Sequence, residues 1–323
     1  MRRLLLGTTA AALLLSAPAM AAPFSFVAIG DMPYKLPDDY ARFERLIGVI
    51  NGMAPAFTVH VGDIKSGSTP CSDENFEKVR GMFDGFEQPL YYTPGDNEWT
   101  DCHREKAGGY EPLERLGKLR ELFFGEARSH GSAPVALERQ ADLMPEHAAI
   151  VENARWSHEG VLFATIHVVG SNNGFERNLA SAEEFFAREK ANVAWIEDSF
   201  ARAEAADAPA MVLAFQANPG WSRKPSDRGG EDGFAAVLAA LAKGAEAFGR
   251  PVLLVQGDDH VLVIDQPLLD TAGKKPLENV MRLQVMGAGL VHGVTVTVDP
   301  EDPAVFGFKP LVVPDNRRTA QAG

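Results

Sequence analysis

"AFTVHVGD" (residues 56–63) is an apolar, β-branched run that ends in Gly-Asp. Two similar runs flank it, "FSFVAIGD" (24–31) and "PLYYTPGD" (89–96), and both end in the same dipeptide. The segments between these runs, 38–53 and 73–86, carry apolar residues at helical spacing. Strands that alternate with helices in this way predict a mostly parallel α/β sheet.

The three Gly-Asp endings predict a ligand site at one edge of that sheet. In open α/β sheets the ligand lies beyond the carboxyl ends of the strands. One Gly-Asp is ordinary turn chemistry, but three of them directly follow apolar runs. We therefore expect Asp31, Asp63 and Asp96 to converge.

The rest of the chain continues the alternation less regularly. We predict helices over 111–125, 181–207 and 229–248, and strands within 154–174, 209–219 and 251–260, with further strand-like segments up to residue 308. Ser181 is the expected N-cap of the second of these helices, and Glu184 completes a capping box. Residues 126–149 are interpreted as an irregular insertion and 313–323 as a disordered tail. No linker divides the sequence, so we expect a single domain over residues 22–312.

The first 21 residues predict a cleavable signal peptide. They combine a basic start at Arg2 and Arg3, an apolar stretch too short to span a bilayer, and an Ala-Met-Ala site at 19–21. The expected location of the mature chain is therefore the periplasm or the exterior. No later apolar run approaches the roughly 20 residues of a membrane helix, so no membrane span is expected.

The charge balance disfavours nucleic acid as a partner. The chain carries 31 Lys and Arg against 44 Asp and Glu, a net charge of −13. Loss of residues 1–21, which contain two arginines and no acid, lowers it by two to −15. An acidic surface of this kind repels polyphosphate backbones. It leaves open a small anionic substrate held by a local cationic site.

The chain has two cysteines, Cys71 and Cys102. In an exported protein two cysteines usually form one disulfide. The alternative is a pair of separate buried thiols.

Five short motifs, each at a strand end, give the order of the candidate site. They are Gly-Asp (30–31), Gly-Asp (62–63), Gly-Asp-Asn-Glu (95–98), Gln-Ala-Asn-Pro (216–219) and Gly-Asp-Asp-His (257–260). This order resembles that of the calcineurin-like metallophosphoesterases, whose motifs are Asp-x-His, Gly-Asp, Gly-Asn-His-Asp/Glu, a lone His and Gly-His-x-His. The resemblance covers nearly all of the mature chain, and "GDMPY", "GDIKSG" and "PGDNEW" look like a divergent exported bacterial group. It implies an α/β/β/α sandwich of four layers, with two mixed sheets face to face and metals at the strand ends.

The resemblance also implies a set of metal ligands. Asp31 matches the first ligand, Asp63 the carboxylate that bridges two metals, and His260 the last histidine. Three further positions differ from the family in residue type: Asp96 stands for Asn, and Gln216 and Asp258 each stand for His. Glu98 and Asn218 are expected to support these ligands from outside, as hydrogen-bond partners.

Two family histidines are missing, and their loss bears on catalysis. Pro33 replaces the histidine of Asp-x-His, and Asn97 occupies the catalytic position of the histidine that protonates the leaving group. We expect His103 to supply the acid instead, held near the site through Cys102. Arg104 and Lys65 are expected to stabilise phosphoryl oxygens.

The donor set predicts one or two hard divalent cations. Carboxylates and amides with one imidazole suit Mn²⁺, Mg²⁺ or Ca²⁺ better than Zn²⁺ or iron. Carboxylates that converge without a cation repel each other, so some stay protonated. The alternative is a set of solvated turn aspartates that bind nothing.

The sequence thus predicts an exported hydrolase in which metal-activated water cleaves a small phosphorylated substrate. The alternative function is a non-catalytic scaffold of the same fold that holds a cation and a ligand or partner. Losing histidine at positions 33 and 97 favours the scaffold, whereas the acid cluster with its nearby cations favours the enzyme.

Overall fold

The structure, a computed structural model, describes residues 22–175, 177–221 and 232–317. The signal peptide predicted at 1–21 and the end of the predicted tail lie outside these residues. No helix within the described ranges is both long enough and apolar enough to cross a bilayer.

Within the described residues, twelve strands form two mixed sheets, which confirms the predicted fold class. They are β1 (Phe24–Ile29), β2 (Thr58–His60), β3 (Leu90–Tyr92), β4 (Glu138–Arg139), β5 (Ala154–His158), β6 (Val161–Thr165), β7 (Met211–Ala214), β8 (Val252–Gln256), β9 (Val263–Asp265), β10 (Val280–Gln284), β11 (Gly293–Val298) and β12 (Phe306–Leu311). One sheet has the order β12-β11-β1-β2-β3 and the other β4-β5-β6-β7-β8-β10-β9. The three Gly-Asp runs lie side by side in the first sheet, where β1, β2 and β3 are parallel.

Helices cover the outer faces of both sheets. They are α1 (Asp38–Met53), α2 (Asp73–Phe83), α3 (Pro112–Phe123), α4 (Gln140–Leu143), the single turn α5 (Gly170–Asn173), α6 (Leu179–Ala205) and α7 (Ala235–Phe248). Alternation along β1 shows the layering: Phe26 and Ala28 belong to the core between the sheets, whereas Val27 and Ile29 pack with α1, α2 and α3. A third cluster packs β6, β7 and β8 against α6 and α7. Because both faces of the central strands are buried, the carboxyl edges remain as the place for a site.

Two sequence-based predictions about helix starts need correction. The N-cap of α6 is Asn178, whose side chain accepts from the backbone N–H of Ser181 at 2.9 Å. Ser181 lies inside the first turn, and Glu184 pairs with Arg188 at 2.8 Å instead of closing a capping box. The helix predicted from residue 229 begins at Ala235 in the structure, and residues 229–231 lie outside the described part of the chain.

The beginning of the predicted tail is packed. Val313 and Asn316 are buried, and the Asn316 side chain donates to the carbonyls of Arg42 (2.8 Å) and Val291 (2.9 Å). These bonds anchor residues 313–317 on α1, so the fold extends past residue 312. Sequence composition missed this because the polar segment is held by side-chain bonds to distant backbone.

Candidate metal centre

The predicted ligands follow the strands on strained backbone. Asp31, Asp63, Asp258 and His260 all have positive φ, at 53°, 57°, 79° and 66°. For residues other than glycine this left-handed region costs about 1 kcal/mol or more and persists where the surroundings enforce it. Such strain clusters at functional sites, and here it falls on four of the six predicted ligands.

Asp31, Asp63 and His260 form a group that fits one cation. Each offers a donor atom, and the three atoms lie within 4.8 Å of one another. The Oδ2 atom of Asp31 is buried without a hydrogen-bond partner. Burial raises the pKa of both Asp31 and Asp63 well above the ordinary value, and the neighbouring carboxylates add to the shift. An unpartnered buried carboxylate oxygen beside a second carboxylate and an imidazole has the chemistry of a cation site.

The carboxylates of Asp96 and Asp258 lie close to each other beside Gly170. A Cβ atom added at Gly170 would lie 2.8 Å from Asp96 Oδ2 and 3.2 Å from Asp258 Oδ1. The backbone N–H of Asp258 also donates to Asp31 Oδ1 at 3.0 Å. Burial, followed by the charge of Asp96, raises the pKa of Asp258 to about 7. The four aspartates therefore form one continuous acidic cluster.

Glycine backbone packs directly on this cluster. A Cβ atom at Gly257 would come within 2.5 Å of Asp31 Oδ2. A Cβ atom at Gly287 would overlap the Asp31 side chain, and one at Gly95 would overlap Asp63. The Gly-Asp pairs thus reflect close backbone approach to the carboxylates as well as turn formation.

Gln216 does not present an oxygen to the cluster. Its Oε1 accepts from the N–H of Gly170 at 2.6 Å, and its Nε2 donates to Asp96 Oδ1 at 3.2 Å. Gln216 is therefore not placed as a metal ligand, contrary to the prediction. Its side-chain amide supports Asp96 by a hydrogen bond. Asn218 supports Asp258 in a similar way, because its backbone N–H donates to Asp258 Oδ2 at 2.7 Å.

Glu98 braces the loops that carry the ligands. The Oε1 atom of this buried carboxylate accepts from the N–H groups of Asp63 (3.0 Å) and Gly95 (2.6 Å) and from the Tyr92 hydroxyl (2.9 Å). Burial raises the pKa of Glu98. The contact to the N–H of Asp63 matches the supporting role expected from the sequence.

Lys65 is placed differently from the prediction. Its side chain is 1% exposed, and its ammonium donates to the carbonyls of Ser66 (3.0 Å) and Asn97. Burial lowers the pKa of Lys65 to about 8. A cation enclosed in this way holds the Asn97 loop and is not accessible to a phosphoryl oxygen.

Asn97 holds Asp63 and Tyr34 in place through its side-chain amide, which has no titrating proton. Its Nδ2 donates to Asp63 Oδ2 (2.6 Å) and to the Tyr34 hydroxyl (2.7 Å). Tyr34, which sequence reasoning missed as a site residue, donates to Asp63 Oδ2 at 2.8 Å and lies 2.9 Å from His260 Nε2. Burial and the Asp63 charge raise the pKa of Tyr34, so its hydroxyl stays neutral. Its position in "GDMPY", three residues after Asp31, was the available signal.

Arg104 lies at the rim of the cluster with its guanidinium partly in water. Its side chain is 48% exposed and pairs with buried Asp101 at 2.6 Å. Ser171 Oγ lies 2.9 Å from Asp96, 3.2 Å from Asp101 and 3.5 Å from the Arg104 guanidinium. Burial, with the Asp96 charge second, raises the pKa of Asp101 to about 7. Asp101 and Ser171 were not predicted, since neither occurs in a recognisable motif.

His103 lies on another side of the same 3-10 turn, Thr100–His103. With three residues per turn, Asp101 and Arg104 share one face and His103 another. Its ring is exposed, and Nδ1 contacts the Thr100 carbonyl at 2.7 Å. Among the described residues, no hydrogen bond or ion pair joins His103 to the carboxylates. The structure therefore brings Arg104 to the cluster but gives His103 no contact with it.

The predicted disulfide between Cys71 and Cys102 is present, with a Cα–Cα distance of 5.8 Å. Both cysteines are fully buried. The bridge joins the loop before α2 to the turn that carries Asp101 and Arg104.

Comparison with known proteins supports the fold. No family model matches the chain, and no curated protein matches it. Among solved structures it is similar to PhoD, with a TM-score of 0.52 and 10% identity over 88% of this chain and 66% of that chain. It also matches purple acid phosphatase PPD1 from yellow lupin (TM-score 0.49, 12% identity, 95% and 58% covered) and Plasmodium GAP50, an anchor in the inner membrane complex (0.49, 11%, 90% and 89%).

The PhoD likeness supports the two-sheet architecture. At 10% identity it shows a shared fold and leaves the chemistry to the residues of this chain.

Proposed function

We propose that this chain is an exported, metal-dependent phosphoesterase that hydrolyses a small phosphate ester at the aspartate cluster. The observation that carries the proposal is the group Asp31, Asp63 and His260, with donor atoms within 4.8 Å and one buried oxygen unpartnered. The PhoD-like fold is consistent with it. The disulfide is consistent with export to an oxidising compartment.

Asp31, Asp63 and His260 would hold one divalent cation, and Asp96 and Asp258 offer carboxylates for a second. Mn²⁺, Mg²⁺ or Ca²⁺ is the proposed metal, because carboxylate oxygens dominate the donors. A cation held there supplies Lewis acidity towards a phosphoryl oxygen and towards water.

The surrounding residues bind and orient. Arg104, whose guanidinium pairs with Asp101 and whose side chain is about half exposed, is placed to bind a phosphoryl oxygen. Asn97 and Tyr34 hold Asp63 in one orientation through three hydrogen bonds, which are donated by the Asn97 backbone N–H, the Asn97 side-chain amide and the Tyr34 hydroxyl. Glu98 fixes the backbone of the same aspartate. This preorganisation removes the need to reorder the carboxylates during the reaction.

The second candidate is a non-catalytic scaffold that binds a cation and a ligand. The observation that favours it is Asn97, because the amide that replaces the expected acid is committed to Asp63 and Tyr34. Both candidates predict that the protein binds a metal, but only the phosphoesterase predicts turnover of an ester.

The test combines metal analysis with a phosphatase assay. Purified protein is dialysed against each cation, analysed for bound metal and assayed with an aryl phosphate. We expect bound divalent metal and hydrolysis, both lost in Asp63→Asn and both retained in Asp315→Asn, an exposed acid on the 314–316 turn. Metal uptake without hydrolysis of any ester would establish the scaffold instead. If Asp63→Asn keeps both metal and turnover, the site is assigned to the wrong residues.

A further inference from the structure

An apolar shelf adjoins the rim of the aspartate cluster. It consists of Phe175, Leu179 and Phe186. Leu179 and Phe186 are 75% and 56% exposed, which makes them the two most exposed large apolar side chains among the described residues. Phe175 contacts Phe186 with ring centroids 5.3 Å apart and also packs on buried Phe185 at 4.6 Å.

The shelf is continuous with the site through the chain itself. Ser171, whose Oγ contacts Asp96, is four residues before Phe175, and tight turn bonds link Gly174 to Ser171 and Phe175 to Asn172. Four residues in such a turn advance only about 6–8 Å. The helix α6 that carries the other two side chains starts at the carboxyl end of β6, which is the edge where the ligands lie.

The two helical positions face the same way. Leu179 and Phe186 are seven residues apart, close to two turns, so they share one face of α6 about 10 Å apart along its axis. The exposed guanidinium of Arg104 contacts Ser171 at the start of the same segment. The rim therefore places an anion-binding group beside an apolar surface.

Neither a membrane nor a protein partner fits this surface as well as a small amphiphile. The chain has a net charge of −13, which repels anionic bilayers. Three side chains expose far less than the roughly 800 Å² that each partner buries in a stable protein complex. Their extent matches one aryl ring or a short alkyl chain.

We propose that the shelf of Phe175, Leu179 and Phe186 binds the apolar leaving group of the ester, so that the substrate is an aryl or alkyl phosphate. The inference rests on the proposed function and specifies its substrate class. Hydrolysis forms a bond from phosphorus to the oxygen of water and breaks the bond to the ester oxygen. The apolar alcohol leaves with one proton, and phosphate remains.

The test uses phenyl phosphates with para-alkyl chains from methyl to butyl, well below the concentrations at which they aggregate. Para-alkyl groups change phenol acidity very little, so the series varies apolar length alone. Full burial of a methylene strengthens binding about fourfold, and half-burial on an open shelf strengthens it about twofold. We expect kcat/KM to rise about twofold per methylene.

The matched variants separate the shelf from the catalytic cluster. Leu179→Ser with Phe186→Ser should flatten the series and lower kcat/KM for phenyl phosphate as well, while the amount of bound metal stays at the wild-type level. Leu143→Ser, at a residue that is 50% exposed on α4, should keep the wild-type slope.

Three results would overturn the inference. If kcat/KM of the wild type does not change with alkyl length while phenyl phosphate is turned over normally, the shelf does not bind the leaving group. The phosphoesterase proposal then remains intact. A double variant that retains the slope also removes the inference; if that variant has also lost the binding to phosphatidylcholine vesicles that the wild type shows, the shelf is a membrane surface. Absence of turnover for every ester removes both proposals together.

Discussion

Chelating the divalent cations and raising the pH should destabilise this protein. Burial raises the pKa of Asp258 to about 7, and Asp31 and Asp63 shift in the same direction. For a group whose folded pKa lies above its unfolded pKa, the stabilising contribution is complete below the unfolded value and is lost as pH rises through the folded value. The free energy of unfolding of the chelated protein should therefore fall between about pH 4 and pH 7.

The magnitude follows from Asp258. A tenfold change in proton affinity corresponds to about 1.4 kcal/mol, so the difference between about 7 and the ordinary 3.8 is on the order of 4 kcal/mol. Partial exposure of the side chain reduces this to about 3 kcal/mol. Asp31 and Asp63 add to the loss. A cation at one hundred times its dissociation constant would restore about 2.7 kcal/mol.

The assay is urea denaturation followed by tryptophan fluorescence, from pH 4.5 to pH 8, with chelator and then with saturating Mn²⁺. Asp258→Asn should remove part of the pH dependence of the chelated protein, whereas Asp315→Asn, at an exposed position, should leave it unchanged. A chelated wild type whose stability is constant or rises with pH would refute this reasoning. So would a cation that adds no stability at pH 8.

Three other perturbations address separate parts of the site. Replacing Cys71 and Cys102 by serine opens a cross-link with a sequence separation of 31. It should cost about 3–4 kcal/mol in urea unfolding, and an unchanged midpoint would show that packing alone holds the turn. Gly287→Ala, whose new Cβ overlaps Asp31, should lower bound metal several-fold, whereas Gly52→Ala on α1, which meets nothing within 4 Å, should not. His103→Ala should change kcat/KM for alkyl and aryl phosphates by less than about twofold each; a loss of 10²-fold or more confined to alkyl esters would instead show that His103 is the acid.

The sequence predicted the parallel arrangement of β1, β2 and β3, because strands that alternate with helices usually pair in parallel. The carboxyl ends of parallel strands meet at one edge, so convergence of Asp31 and Asp63 followed from the same pattern. A disulfide was expected from two cysteines in a chain that the sequence predicts to be exported.

Side-chain direction was beyond reach of these patterns. The side-chain amide of Gln216 carries both an oxygen and a nitrogen, and either could face Asp96. The N–H of Gly170 binds the oxygen, so the nitrogen faces Asp96. Lys65 is buried because the Asn97 loop covers it. Tyr34 enters the site from a turn, where no periodicity marks a side chain as inward.

Asn97, at the position where the resemblance leads us to expect histidine, has a consequence for the choice of substrate. An imidazole has at most two N–H groups on opposite sides of the ring, whereas the amide of Asn97 donates twice in one direction, to Asp63 and Tyr34. The amide of Asn97 therefore holds Asp63 rigidly but supplies no proton to a leaving group. Without an acid there, the alkoxide of a simple alcohol is a poor leaving group, while a phenolate needs little protonation. The absence of an acid at position 97 and the presence of the apolar shelf beside Arg104 therefore favour the same substrate. That substrate is an aryl ester whose ring packs against Phe175 and Phe186.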